Sequence, residues 1–261
     1  MEKNVFNLWE NTPGRCAEIP TLTYYPAQNK TSDAVIIIFP GGGFACRADH
    51  EGRGYAEFLN EAGYDAFVCD YRVQPSYYPL PLLDARRAVR WVRYHAEEYG
   101  INKDKVCVMG SSAGGCISAL VSTYKDELEF EGVDEIDNID PIPNGQIICY
   151  GYLSLCKEGL KIDWANKNLF GEDNSPLGNV ISAELNVCPT TPKAFIWQTS
   201  TDDCCVLGHS LCYATALKEN NVPVEMHIFP YGEHGLGRAE HDPHVNQWTK
   251  SLMAWLNLEF K

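Results

Sequence analysis

Ser112 has one glycine two residues before it and another two residues after it, in Gly110-Ser111-Ser112-Ala113-Gly114. The preceding run, Lys105-Val106-Cys107-Val108-Met109, is short, apolar and β-branched, as a buried strand is. The following run, Cys116-Ile117-Ser118-Ala119-Leu120-Val121, reads as a buried helix. A serine at so tight a strand-to-helix turn is held in a strained backbone conformation, and glycine at both flanking places avoids the clash of a Cβ. Only Ser112 stands in that register, which is the nucleophile elbow of serine hydrolases. A hydroxyl is a weak nucleophile. It needs a base, a carboxylate to orient the base, and N–H donors for an oxyanion.

A candidate for each part follows an expected strand, where open parallel sheets gather their sites. After Lys193–Thr199 comes Ser200-Thr201-Asp202-Asp203-Cys204-Cys205-Val206, and after Val224–Phe229 comes Pro230-Tyr231-Gly232-Glu233-His234-Gly235-Leu236-Gly237. The order Ser112, Asp203, His234 is the one expected of α/β-hydrolases. Asp203 is preferred as the acid because Asp203-Cys204-Cys205-Val206 has the usual Asp-x-x-Val form; Asp202 is the adjacent alternative. Pro40-Gly41-Gly42-Gly43-Phe44, directly after the strand Ala34–Phe39, matches the oxyanion run of esterases, with Pro40 where histidine often stands. The expected donors are the N–H groups of Gly42, Gly43 and Ala113.

The glycine run lacks the Gly-x-Gly-x-x-Gly spacing of a dinucleotide site. His227 lies inside a strand, His95 on a helix, and His50 and His209 lack a glycine-loop context. His241, Asp242 and His244 suggest a metal cluster, but Pro243 interrupts helical spacing, so a pocket rim or surface is the better reading. No cofactor and no metal are expected.

The 261 residues suit one large α/β domain, and Lys plus Arg number 21 against 35 Asp plus Glu, a formal charge of −14. That balance disfavours nucleic acid or an anionic membrane as partner and suits a small, weakly charged substrate. The 11 cysteines are odd in number, form no Cys-x-x-Cys pair, and at Cys69, Cys107 and Cys149 fall in apolar runs. A reduced, cytoplasmic protein without a zinc site is expected, and a disulfide between Cys204 and Cys205 would be strained. Met1-Glu2-Lys3-Asn4-Val5-Phe6 does not read as a signal peptide, and no apolar run approaches bilayer length.

The elements that would position these residues alternate from about residue 33 onward. Helices are expected over Gly54–Ala62, with Gly63 as cap, over a face marked by Leu82, Ala85, Val89, Val92 and Ala96, over His209–Glu219 and over Val245–Asn257. Further strands are expected at Asp65–Tyr71 and Gln146–Tyr150, with Thr21–Tyr25 as an edge strand. Arg86, Arg87, Arg90 and Arg93 lie off the apolar stripe and read as a solvated face, with neighbours such as Arg93 and Glu97. Lys125–Asp140 reads as an exposed acidic loop. Residues 153–187 form an insertion that could cap a site. Repeated alternation implies a mostly parallel sheet of about eight strands with helices on both faces.

The chain resembles the bacterial acetyl-esterase and acetylxylan-esterase-like α/β-hydrolases, often grouped with feruloyl-esterase-like and lipase/esterase proteins. The matching stretches are Gly41-Gly42-Gly43-Phe44, Glu51-Gly52, Gly63-Tyr64-Asp65-Ala66-Phe67-Val68, Tyr71-Arg72 and Asp84-Ala85-Arg86-Arg87-Ala88-Val89-Arg90. The match continues through Met109–Gly115, Val222–Glu225, His227–Pro230 and Gly232–Gly237. Leu207, where proline often stands, and Arg238, where an apolar residue is usual, depart from the pattern. The resemblance implies an esterase releasing short acyl groups, acetyl first, from a sugar such as an imported xylo-oligosaccharide. Phe44 and Arg238 are the residues expected to touch substrate, and a homo-oligomer is compatible with the sequence. Alternatives are an aryl-formamidase or peptidase-like α/β-hydrolase, and a non-catalytic binding protein on the same fold.

Overall fold

Side-chain alternation along the central strands decides the layers. In β3 (Val35–Phe39), Val35, Ile37 and Phe39 enter one apolar cluster, while Ile36 and Ile38 enter another on the opposite face. The same alternation holds in β5 (Val106–Ser111), where Val106 and Val108 face one way and Cys107 and Met109 the other. Strands buried on both faces need helices on both sides.

The computed structural model describes residues 4–14, 18–126, 128 and 134–261, so Met1–Lys3 and Cys16 lie outside the described residues. The other strands are β1 (Asn4–Asn7), β2 (Thr21–Tyr25), β4 (Asp65–Asp70), β6 (Gly145–Cys149), β7 (Lys193–Thr199) and β8 (Val224–Phe229). Among the described residues they form one 8-stranded sheet in the order β1-β2-β4-β3-β5-β6-β7-β8. The β1–β2 and β2–β4 pairs are antiparallel and the rest parallel. Thr21–Tyr25 is therefore not the edge. Asn4–Asn7 covers it, and the asparagines at both ends of that strand give it little apolar pattern to read.

The helices are α1 (Asp49–Glu61), α2 (Leu80–Tyr94), α3 (Ser112–Thr123), α4 (Asp163–Phe170), α5 (Gly178–Ile181), α6 (Gly208–Glu219) and α7 (Gln247–Phe260). Tyr55, Ala56 and Leu59 of α1 join Trp248, Leu252 and Trp255 of α7 on one face; α2, α3 and α6 cover the other. Helix α1 begins at Asp49 rather than at Gly54. Its acidic first turn suits the helix dipole, and a Cβ at Gly52 would lie 3.0 Å from Pro40 Cγ, so that glycine serves packing rather than breaking the helix. Among the described residues no helix is long and apolar enough to cross a membrane.

The arginines of α2 overturn the reading of a solvated face. Arg86 and Arg87 are buried. Arg87 donates to Leu8 O at 2.8 Å and to both Asp134 oxygens at 2.6 Å, and pairs with Asp137 at 2.9 Å. Arg90 donates to Ile139 O at 2.8 Å, and Arg93 to Asp140 O at 2.6 Å and Asn144 Oδ1 at 2.9 Å, not to Glu97. The expected acidic loop thus folds back over α2 across residues 134–140, because buried guanidinium groups require acceptors. Residues 127 and 129–133 of it lie outside the described residues.

Arg72 and Asp84 form a fully buried pair. Nη2 and Nε of Arg72 donate to the two carboxylate oxygens at 2.7 and 2.8 Å, and the Arg72 amide adds a third bond at 2.9 Å. This clamps the end of β4 to α2.

Candidate active site

Ser112 is the first residue of α3, immediately after β5, with φ +52°. A Cβ at Gly110 would run into the Gly114 carbonyl, and one at Gly114 into the Phe39 carbonyl. Both glycines are therefore required by backbone crossing, as the spacing predicts.

His234 Nε2 lies 2.8 Å from Ser112 Oγ, and its Nδ1 lies 2.8 Å from Asp202 Oδ2. With the proton on Nδ1, the imidazole donates to Asp202 and accepts from the serine hydroxyl. The carboxylate on the histidine is Asp202, not the expected Asp203. Asp202 is buried, whereas Asp203 faces solvent. The turn after β7 explains the difference: Asp202 Oδ1 accepts the Cys204 and Cys205 amides at 3.0 and 2.9 Å, and Oδ2 also accepts Gln198 Nε2 at 3.1 Å. Such a side-chain-to-backbone turn satisfies a buried carboxylate, and the next side chain then points outward. Burial pushes the His234 pKa down, but the hydrogen bond and charge of Asp202 outweigh it and leave the imidazole above its ordinary value.

The glycine loop passes beside Ser112 at Gly41, where a Cβ would lie 3.1 Å from Ser112 Cβ. Gly42 and Gly43 have φ +134° and +61°, so their peptide units take orientations that a side chain resists. Ala113 lies in the first turn of α3, whose amides have no acceptor within the helix. Ala113 follows Ser112 directly, and Gly42 and Gly43 follow Gly41 in the loop beside it.

The two residues expected to touch substrate have partners within the protein. Phe44 is fully buried and packs into the core on the α2–α3 side, because its backbone turns the ring inward at φ +59°. Arg238 reaches over the Phe58 ring of α1 and pairs with Glu240 at 3.2 Å, where its charge has a partner and its stem a surface. His241 and His244 are exposed, and Asp242 Oδ1 accepts the amides of His244 and Val245 in a local turn.

Sequence reasoning assigned no role to Glu51, which is buried and spans the site. Its Oε2 accepts the Gly41 amide at 2.8 Å and its Oε1 accepts the Tyr150 hydroxyl at 2.7 Å. Tyr150 also accepts the Gly237 amide at 2.8 Å and sets its ring edge-on to His234. Burial and the Glu51 charge push the phenol far up, so Tyr150 stays a donor. One carboxylate therefore links the glycine loop to the histidine loop. The pairing Glu51-Gly52 in the sequence was a visible signal without a visible partner, since Tyr150 is 99 residues away.

Residues 153–187 hold α4, α5 and a short 3-10 helix at Ala183–Leu185. Helix α4 reaches the glycine loop: Asn168 Nδ2 donates to Gly43 O at 2.9 Å, and Trp164 lies against Gly43. Cys204, Cys205 and His234 bring their ligand atoms within 4.8 Å of one another. Sulfur of Cys204 faces a hydrogen bond from Cys205, which outweighs burial and, with His234, lowers its pKa to about 6.

The BD-FAE family model matches residues 23–217. The chain is similar to endo-1,4-beta-xylanase B of Butyrivibrio fibrisolvens, 31% identical over 252 residues, which are 93% of this chain and 39% of that protein. It is also similar to an acetylxylan esterase of Xylanibacter ruminicola, 27% identical over 86% of this chain and 45% of that protein. The chain thus spans less than half the length of these curated relatives. Among solved structures, an acetyl ester-xyloside bifunctional hydrolase from Caldicellulosiruptor lactoaceticus superposes with a TM-score of 0.91 at 37% identity, covering 98% of this chain and 96% of that one. The carboxylesterase Cest-2923 of Lactobacillus plantarum shares the fold, with a TM-score of 0.79 at 22% identity over 99% and 98% of the two chains. With its eight-stranded sheet and the strand-to-helix turn at Ser112, the chain belongs to the BD-FAE family of the α/β-hydrolase fold.

Proposed function

We propose that the chain is a serine carboxylic-ester hydrolase that removes short acyl groups, acetyl first, from carbohydrate such as xylo-oligosaccharides. The observation that carries this reading is His234 lying 2.8 Å from both Ser112 Oγ and Asp202 Oδ2. Ser112 Oγ attacks the ester carbonyl carbon as His234 Nε2 takes its proton, and Asp202 stabilises the resulting imidazolium. The N–H groups of Gly42, Gly43 and Ala113 receive the oxyanion. Collapse expels the alcohol, which leaves with the proton from His234. Water deprotonated by His234 then attacks the acyl-serine, releasing the acid and restoring Ser112.

The substrate class is supported by the acetyl-ester and xylan activities named for the similar proteins, and by a net charge of −14 that favours an uncharged substrate. A cytoplasmic location is part of the same proposal and is supported by the 10 described cysteines, all free thiols. Ser112→Ala is expected to abolish acetate release from acetylated xylo-oligosaccharides and labelling by a fluorophosphonate, while the circular dichroism spectrum is unchanged. A folded Ser112→Ala variant that keeps its activity overturns the assignment.

A further inference from the structure

We infer that Trp164 is the surface on which the sugar ring of the ester's alcohol stacks, which rests on the reading above and deepens it. Trp164 is 54% exposed although the helix that carries it is firmly seated. Ala165, Leu169 and Phe170 bury themselves in the core beside Leu155 and Tyr152. Buried Asn166 accepts the Tyr152 hydroxyl at 2.8 Å and donates to Leu155 O at 2.8 Å, and the Ile162 amide donates to Tyr152 Oη at 3.0 Å. Tyr152 in turn donates its amide to the carbonyl of Ser112 at 3.0 Å, so this scaffold is built outward from the nucleophile itself.

A single exposed aromatic residue on a surface needs no explanation. Trp164 differs in where its ring is held. A Cβ on Gly43 would lie 2.5 Å from Cζ3 and 2.9 Å from Cη2 of Trp164, so the indole edge rests on the backbone of the glycine loop. Asn168, one turn later on α4, locks the same residue by donating to Gly43 O at 2.9 Å. The absence of a side chain at Gly43 thus has a second use besides presenting its amide. It lets an aromatic side chain on a residue more than half exposed stand next to the oxyanion donors.

An acetyl group has two carbons and ends close to the carbonyl that Ser112 attacks. A group that extends from that carbonyl across Gly43 to the indole therefore belongs to the alcohol. The electron-rich face of an indole attracts the polarised C–H groups on one face of a pyranose, while the sugar hydroxyls stay in water. An uncharged ring suits a protein of strongly negative charge.

The test compares wild type, Trp164→Ala and Trp164→Phe on three esters: an acetylated xylo-oligosaccharide, ethyl acetate and methyl ferulate. Ethyl acetate has no ring to stack. The expected result is a KM for the sugar ester raised about tenfold in Trp164→Ala, with kcat little changed and part of the loss recovered in Trp164→Phe. Turnover of ethyl acetate is expected to stay within about twofold of wild type, on the same stacking argument. Equal losses on ethyl acetate and the sugar ester would show that Trp164 only props the glycine loop, and would overturn the proposal. An unchanged KM for the sugar ester overturns it as well, as does a loss confined to methyl ferulate, which would place an aromatic acyl group on the indole. A wild-type enzyme that cleaves ethyl acetate but not the sugar ester overturns the carbohydrate reading, and the stacking proposal with it.

Discussion

The carboxylate of Glu51 accepts the amide of Gly41 at 2.8 Å, although nothing in its own chemistry takes part in ester cleavage. Its other oxygen holds Tyr150, which receives the Gly237 amide two residues from the end of the histidine loop's turn. Both contacts supply a donor, so only a group with two acceptors satisfies the position.

Glu51→Gln presents an NH2 group to one of those donors. A buried amide or phenol left unpaired costs about 1–3 kcal/mol. The expected outcome is a kcat/KM for an acetyl ester lowered about 10- to 100-fold, by the same relation between free energy and rate. Fluorophosphonate labelling should persist at a reduced rate, since Ser112 and His234 remain. Wild-type kinetics in Glu51→Gln would remove Glu51 from the site.

Asp202 and Asp203 are adjacent in the chain and should differ greatly in consequence. Asp202→Asn removes the charge that holds the Nδ1 proton, and a fall in kcat of about 10⁴-fold is expected from the general behaviour of such triads. Asp203→Asn should leave activity within about twofold, as is usual for an exposed substitution. Kinetics of the two variants side by side decide the assignment.

Asp202 and His234 together control the pH profile. His234 must be neutral to accept the serine proton, so activity rises as pH rises through its pKa. Asp202 holds that pKa above the ordinary histidine value of about 6.5, so the acid limb of kcat/KM should have its midpoint above that value. In Asp202→Asn only burial and weaker charges act on the ring, and the midpoint of the residual activity should move down. An upward or absent shift would contradict the assigned pair.

Two thiols should react first with iodoacetamide near neutral pH. Cys204 has a pKa lowered to about 6 by the Cys205 hydrogen bond against burial, with help from His234. Burial opposes ionisation of Cys188, but Thr190 and Lys125 bring it to about 6. Thiolates are the reactive form. Peptide mapping should find both modified before buried Cys69 and Cys107, whose thiols burial pushes up. Only modification of Cys204, beside His234, should lower activity, and Cys204→Ser should resist that loss.

Asp84→Asn should destabilise the fold rather than the chemistry. Arg72 would keep its charge with no exposed surface and lose the carboxylate of Asp84, and breaking such a buried pair typically costs about 3–5 kcal/mol. Urea denaturation would register this as a lower midpoint. Activity per folded molecule should change little, because the Asp84 carboxylate bonds to Arg72 rather than to Ser112, His234 or Asp202.

Much of this fold was legible because its signals are local. Continuous apolar runs such as Val35–Phe39 read as strands covered on both faces, and two glycines around Ser112 as relief of a backbone crossing. β7 and β8 begin and end where the pattern places them, at Lys193–Thr199 and Val224–Phe229. Asn4–Asn7 was illegible because pairing with β2, not its own side chains, makes it a strand. The arginines of α2 misled for a related reason: their off-stripe placement says that they leave the helix core, not what covers them.

By itself the sequence singled out Ser112, His234 and the glycine loop, because each rests on a constraint between near neighbours in the chain. Only the tertiary structure decided that Asp202 rather than Asp203 meets His234, that Phe44 turns into the core, and that Glu51 and Tyr150 tie the loops together. Adjacent residues in a turn differ in direction, not in composition. Which of them points inward depends on amides, such as those of Cys204 and Cys205, that are placed only once the chain has folded.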